Sequence, residues 1–244
     1  MFDYDAKLMI ALQNAPATIA DVLATMQATM QAIDAVTVNG DGLKWFNWLY
    51  FQVTKAVEDR VQSGGFADAA FLSLLDVQFA QLYFDALRES LAGGSVSDCW
   101  QALFSRRGDT RLVRIQCALA GINAHINHDL PIAIVNTCKL SGLVPQHGTV
   151  QYNDYTSLNA TLDSKIDEAK ATLNVRLLGT VLPPVNALED TIAGWGVSAA
   201  REAAWNNSQL LWRLDGEDLL RTGFLDTLDG LTTVVGKGLL VPLP

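Results

Sequence analysis

Apolar residues recur at helical spacing along most of this chain, and this pattern restricts it to helical folds. Two stretches show the pattern best, Leu43–Gln62 and Phe66–Ala92, and each is much longer than a typical β-strand. No alternation of apolar and polar residues is sustained, and no repeat with a period of roughly 20–50 residues occurs. The sequence therefore predicts an all-α protein.

The size and composition of the chain favour one helical domain. Its 244 residues are 50% hydrophobic, enough to fill a sizeable core. We expect an arm over residues 1–15, a helical core over 16–214, and a C-terminal tail over 215–244 that packs on the core. Asn39-Gly40 predicts a turn, Pro183-Pro184 a connector, and Val185–Ile192 a short helix after that connector.

Charge and hydropathy exclude several classes of partner. The net charge of −9 opposes a wide surface for nucleic acid or anionic lipid. No run reaches the roughly 18–20 apolar residues of a membrane span, and the N-terminus lacks a secretory signal, so we expect a cytoplasmic location. The three cysteines form no CxxC pair and are expected to be reduced, buried and without a catalytic role. The composition also allows a homodimer.

A dense group of polar residues interrupts the apolar stretch Arg114–Cys138. In a helix, His125 and His128 would share one face, about 5–6 Å apart at Cβ, with Asp129 beside them. Pro131 lacks an amide hydrogen and disfavours helical geometry at the preceding residue, so we expect the central helix to break or kink near Asp129. Gly121, one turn before His125, should leave open space beside it.

A pocket is expected between the helices of 43–62, 66–92 and 111–140. Asp76 would lie there in apolar surroundings, where a carboxyl needs a partner, water or a raised pKa. Aromatic residues should make the lining apolar, as suits a hydrophobic small molecule: Trp45, Trp48, Phe79, Tyr83, Trp205 and Trp212. The substrate-binding residues that we predict are Asn123, Asn127, Asn47, Tyr50, Tyr83, Trp48, Arg201 and Trp205.

Three functions are compatible with these residues. The first is a cofactor-independent enzyme of specialised metabolism that isomerises, cyclises or eliminates from an apolar small molecule. His125 or His128 would be its base, Asp129 would orient the base, and Asp76, Tyr83 or Arg201 would donate a proton or pair with charge.

The second function is a metal-dependent oxygenase or hydrolase, in which His125, His128 and Asp129 would hold a divalent ion. The third is a non-catalytic binding or scaffold protein, in which the polar group only stabilises the kink. No HExxH, GxSxG, Walker or GxGxxG signature is present, which disfavours the enzyme classes that use them.

The segments NAHINHDLP, WFNWLYFQVT, LLDVQFAQLYFDAL, NDYTSLN and AREAAW resemble a bacterial family of uncharacterised proteins, a domain of unknown function. The resemblance covers most of residues 40–215 and is most specific at NAHINHDLP. It implies that eight residues belong to the family pattern: Asn123, His125, Asn127, His128, Asp129, Asp154, Arg201 and Trp205. It implies no particular activity or cofactor.

Overall fold

A computed structural model describes residues 2–37, 40–173 and 196–242. These residues form helices and connecting turns without a strand, which confirms the predicted all-α class. The helices are α1 (Asp5–Ala11), α2 (Ile19–Asp34), α3 (Leu43–Gln62), α4 (Ala69–Leu91), α5 (Asp98–Phe104), α6 (Arg114–Ala124), a π-helical segment (His125–Asp129), α7 (Leu130–Ser141), α8 (Val150–Ser157), α9 (Asn159–Leu173), α10 (Val197–Arg213) and α11 (Asp218–Leu239).

Helix α6 is the central element of the domain. Every residue from Ile115 to Ala124 is buried, so the helix has no solvated face. It packs against α3 on one side and α11 on another, while α7 packs against α4 and α10. A helix that is apolar and buried all round must lie in the core, and this one carries the polar group into the centre of the molecule.

The predicted irregularity near Asp129 is present, as a π-helical segment within a continuous helix. The amide of Leu130 donates to the carbonyl of His125, five residues earlier. Pro131 then lies in the first turn of α7, where a missing amide hydrogen is least costly. Single π turns inside α-helices are frequent at functional sites, so this segment is a candidate for one.

Both ends of the chain are more ordered than the sequence predicts. The expected arm contains α1, and its residue Leu8 is buried in the core together with Tyr4 and Leu12 at the two ends of the helix. The expected tail forms α11, in spite of its glycines, and packs against α5 and α6. Tertiary packing of an apolar face outweighs the low helix propensity of glycine there.

Some predictions lie outside the described residues: those for the connector at Pro183-Pro184, the helix Val185–Ile192, and Asn39 of the predicted turn. Within the parts of the chain that are described, no helix is long and apolar enough to cross a membrane.

Candidate functional site

The carboxyl group of Asp129 is the centre of the polar group. Its Oδ2 accepts hydrogen bonds from Nδ1 of His125 at 2.9 Å and Nε1 of Trp100 at 3.0 Å. Its Oδ1 accepts from Nδ1 of His128 at 2.7 Å. Asp129 is only 3% exposed, so protein groups, rather than bulk solvent, satisfy this carboxylate.

These hydrogen bonds set the charges of the cluster. Burial acts to raise the pKa of Asp129, but the hydrogen bonds from His125 and His128 outweigh it and lower that pKa. An ionised carboxylate only accepts, so each histidine carries its hydrogen on Nδ1. At His125, burial lowers the pKa and outweighs the opposite effect of Asp129. At His128, the hydrogen bond and charge of Asp129 outweigh burial, so the pKa of His128 is raised. His125 is therefore a neutral imidazole with a free lone pair on Nε2.

Aromatic rings enclose His125, which is 1% exposed. The ring of Phe79 stacks on the imidazole with centroids 3.4 Å apart and planes 5° apart, and the centroid of Tyr50 lies 4.6 Å away. Nε2 of His125 is buried and has no hydrogen-bond partner. Buried polar atoms in native proteins are nearly always paired, so an unpaired basic nitrogen at the centre of a domain requires an explanation.

A small cavity of about 50 Å³ lies next to these rings. Tyr50 and Phe79, which both contact His125, form part of its wall together with Asp76 and Arg201. Burial, followed by the charge of Glu58, raises the pKa of Asp76 to about 8. Asp76 Oδ2 is also buried without a partner. The cavity is thus bordered by a carboxyl oxygen that no protein group satisfies.

The cavity is much smaller than the apolar pocket predicted from the sequence. It has room for a few water molecules. Six aromatic residues were expected in its lining, and Phe79 is the one of these six that lines it. The other five belong to the core or pack against it: Trp45, Trp48, Tyr83, Trp205 and Trp212. Gly121 leaves no open space either, because the ring of Phe46 fills it and would overlap an added Cβ.

Several predicted substrate-binding residues bond to other helices instead of facing the cavity. The hydroxyl of Tyr83 donates to Oδ1 of Asn47 at 3.2 Å, and Nδ2 of Asn47 donates to the carbonyl of Met26 at 2.7 Å. Asn127 donates to Oδ1 of Asn123 at 3.0 Å. Nδ2 of Asn123 donates at 2.8 Å to the carbonyl of Thr232 on α11. The bond between Asn127 and Asn123 lies within one continuous helix, and the other three bonds join helices around the cluster.

Arg201 and Trp205 lie on α10. Arg201 lines the cavity, donates to the carbonyl of Tyr155 at 2.7 Å, and stacks its guanidinium over that ring at 3.9 Å. Trp205 is 1% exposed and packs against the same tyrosine, with centroids 4.9 Å apart. Trp48 is partly buried against the core. Among these three residues, Arg201 is the one that a molecule in the cavity would meet.

Three further residues belong to the site and were not among those predicted. Trp100 lies in the core and also donates to Asp129. Cys99 of α5 and Asp229 of α11 meet His128, and the atoms of the three that could hold a metal lie within 4.8 Å of one another. No local spacing in the sequence indicates this, because the cluster joins helices that are far apart in the chain.

The metal-dependent alternative assigned the ion to His125, His128 and Asp129. His125 and His128 are directed to Asp129 through Nδ1, and in the described residues the group with metal-ligand proximity is Cys99, His128 and Asp229. The third histidine, His147, is not near the cluster: it bonds to Glu202 at 3.0 Å on the surface.

These features define an all-α protein whose central helix carries a buried His–Asp–His cluster at a π turn. The model of a family of unknown function, DUF5995, matches residues 19–242, and the chain belongs to that family. A search of curated proteins found no match, and a search of solved structures found none either.

Proposed function

We propose that the protein is an enzyme that moves a proton on an apolar small molecule, in an isomerisation, cyclisation or elimination. His125 is the base, Asp129 orients it, and Asp76 is the acid. One observation carries the proposal: Nδ1 of His125 is bonded to a buried carboxylate while Nε2 is left unpaired in an apolar enclosure. A carboxylate on one nitrogen fixes the tautomer and stabilises the imidazolium that forms when the other nitrogen accepts a proton.

Asp76 supports the proposal as a proton donor. Its pKa of about 8 means that it keeps its proton at neutral pH. A buried carboxylic acid held neutral can protonate a substrate or donate a hydrogen bond to a developing oxyanion. A neutral base and a neutral acid are the two groups that a proton shift requires, and Tyr50 and Phe79 lie next to both of them.

Substrate access requires a change at Phe79. A cavity of about 50 Å³ is too small for an apolar substrate, and Phe79 covers the His125 ring. Phe79 is only partly buried, so its ring can turn away from the imidazole more readily than the fully buried Phe46 or Tyr83. A flat apolar substrate would then take its place on His125, in contact with Tyr50 and Asp76.

Deuterium exchange tests the proposal with simple compounds in place of the natural substrate. Wild-type protein is incubated in D₂O with a panel of small cyclic and β,γ-unsaturated ketones, and deuterium incorporation is followed by NMR. We expect faster exchange for at least one compound, by about tenfold or more, and loss of that acceleration in His125→Gln, since general-base catalysis contributes about 10²–10⁴-fold. His147→Gln, at an exposed histidine, is the matched control.

The proposal is overturned if folded His125→Gln and wild-type protein exchange every compound at the same rate. If the same variant also lowers the melting temperature strongly, and no compound raises that of wild type, the cluster acts as a structural element of a non-catalytic protein.

A further inference from the structure

Three side chains from three helices meet beside the π-helical segment, outside the cavity described above. They are Cys99 at the start of α5, His128 in the π-helical segment, and Asp229 in α11. We infer that these residues form a site for a divalent transition metal, best suited to Zn²⁺, with one coordination position open. The inference goes beyond the proposed function, since none of the three is its base or its acid.

The spacing of the three residues is close to that of a metal site. The sulfur of Cys99, a ring nitrogen of His128 and a carboxylate oxygen of Asp229 lie within 4.8 Å of one another. In a tetrahedral Zn²⁺ site with metal–ligand distances of about 2.0–2.3 Å, neighbouring ligand atoms are roughly 3.3–3.8 Å apart. Side-chain movements of about 1 Å would therefore complete the coordination.

The ligand types select the metal. Thiolate and imidazole favour Zn²⁺ and similar first-row ions, whereas Mg²⁺ and Ca²⁺ prefer sites made of oxygen atoms alone. Cys99 is buried and burial raises the pKa of its thiol, so without a metal it remains protonated. Binding of the ion would release this proton to solvent. Three protein ligands leave a fourth position for water, as in catalytic zinc sites.

The surroundings of the ligands are those of a metal site. Nδ1 of His128 donates to Asp129 at 2.7 Å, which leaves Nε2 for the metal; a carboxylate on the outer nitrogen is the usual support for a metal-binding histidine. Backbone amides of Asp98 and Cys99 each donate to an oxygen of Asp229 at 2.8 Å. These bonds hold two of the three ligands in place before any ion arrives.

The open position would face a route from solvent. The side chain of His128 is 15% exposed, and Asp229 is partly buried. These two ligands are therefore within reach of solvent water, which could occupy the fourth position of the metal.

Metal titration tests the inference. Protein treated with EDTA and dialysed is titrated with ZnCl₂ by calorimetry, and separately with CoCl₂ by absorption spectroscopy. We expect one Zn²⁺ per chain, and a thiolate-to-cobalt charge-transfer band in the near ultraviolet that only a cysteine ligand produces. Binding of much less than one equivalent of Zn²⁺, or a cobalt spectrum without that band, overturns the inference.

Variants identify the ligands. Cys99→Ser, His128→Gln and Asp229→Asn should each weaken Zn²⁺ binding by about 100-fold or more, and Asp129→Asn by about 10–100-fold because it supports a ligand. Cys138→Ser, at a buried thiol of α7, and His147→Gln should leave the affinity unchanged. Unchanged affinity in Cys99→Ser and Asp229→Asn would show that the ion binds elsewhere.

The result is independent of the proposed function. His125→Gln should retain Zn²⁺ binding even where it abolishes deuterium exchange. If EDTA-treated wild-type protein accelerates deuterium exchange but does not bind Zn²⁺, the metal site is refuted and the proposed function is not. Because Asp229 is only partly buried, Asp229→Asn remains informative if a substitution at Cys99 prevents folding.

Discussion

The buried carboxyl of Asp76 makes the free energy of unfolding depend on pH, and the substitution Asp76→Asn should remove this dependence. Asp76→Asn keeps the shape of the side chain but cannot ionise. In the unfolded chain the aspartate loses its proton near 3.8, whereas in the folded protein it does so at about 8. Between these values the folded state holds one proton more than the unfolded state, so the wild-type free energy of unfolding falls as pH rises.

The magnitude follows from the two pKa values. At about 1.4 kcal/mol per pH unit, the interval from 3.8 to about 8 corresponds to about 6 kcal/mol lost by pH 8. Water penetration and relaxation reduce such penalties in real proteins, so we expect about 3 kcal/mol or more. Asp76→Asn lacks this loss, and its advantage in stability over wild type should grow from near zero at pH 4 to a plateau above pH 8.

Urea unfolding at a series of pH values between 4 and 9 measures this difference. All other titrating groups are common to the two proteins, so their contributions cancel when the free energies of unfolding are subtracted. Asp59→Asn, at an exposed aspartate, is the control and should show no comparable trend. A difference between Asp76→Asn and wild type that is constant across the series would refute a buried, neutral Asp76.

Two further substitutions test the packing around the cluster. Trp100→Phe removes the indole donor to Oδ2 of Asp129. Because hydrogen bonds to charged groups contribute about 1.5–3 kcal/mol, urea unfolding should show a loss of at least about 2 kcal/mol in the free energy of unfolding. A loss under about 0.5 kcal/mol would contradict a role for this bond in stability. Gly121→Ala places a methyl group where the ring of Phe46 lies, so it should destabilise the protein by about 2 kcal/mol even though alanine normally favours a helix over glycine. A higher melting temperature in this variant would contradict the close contact between Gly121 and Phe46.

The sequence predicted the parts of the site that lie on one helix. His125 and Asp129 are four residues apart, so helical geometry alone places them together, and the position of Pro131 indicated where the regular helix would change. For Asp76, a raised pKa was one of three alternatives that its apolar neighbours left open, beside a partner and contact with water, and it is the one that the structure supports. These predictions depend on local spacing and on the energetic cost of burying a charge.

The residues that the sequence did not predict as site residues come from long-range contacts. Asp229 accepts a hydrogen bond from the backbone of Cys99, and it lies in the segment that was expected only to be a C-terminal tail packing on the core. Cys99 was correctly expected to be buried, but a buried thiol gives no sign of which residues surround it. The size of the pocket was overestimated because aromatic residues at helical spacing can fill a core as readily as they line a cavity, and at Gly121 Phe46 occupies the space.

The protonation state of His125 tests the central claim most directly. Protein with ¹⁵N-labelled histidine is titrated from pH 5 to 8, and the shifts of both ring nitrogens are followed in wild type and His125→Gln to assign the signal. We predict a neutral ring at pH 7, with hydrogen on Nδ1 and a free lone pair on Nε2, because burial holds the pKa of His125 below the usual value for histidine. A protonated Nε2 at pH 7 would contradict it, because that imidazole could not act as a base.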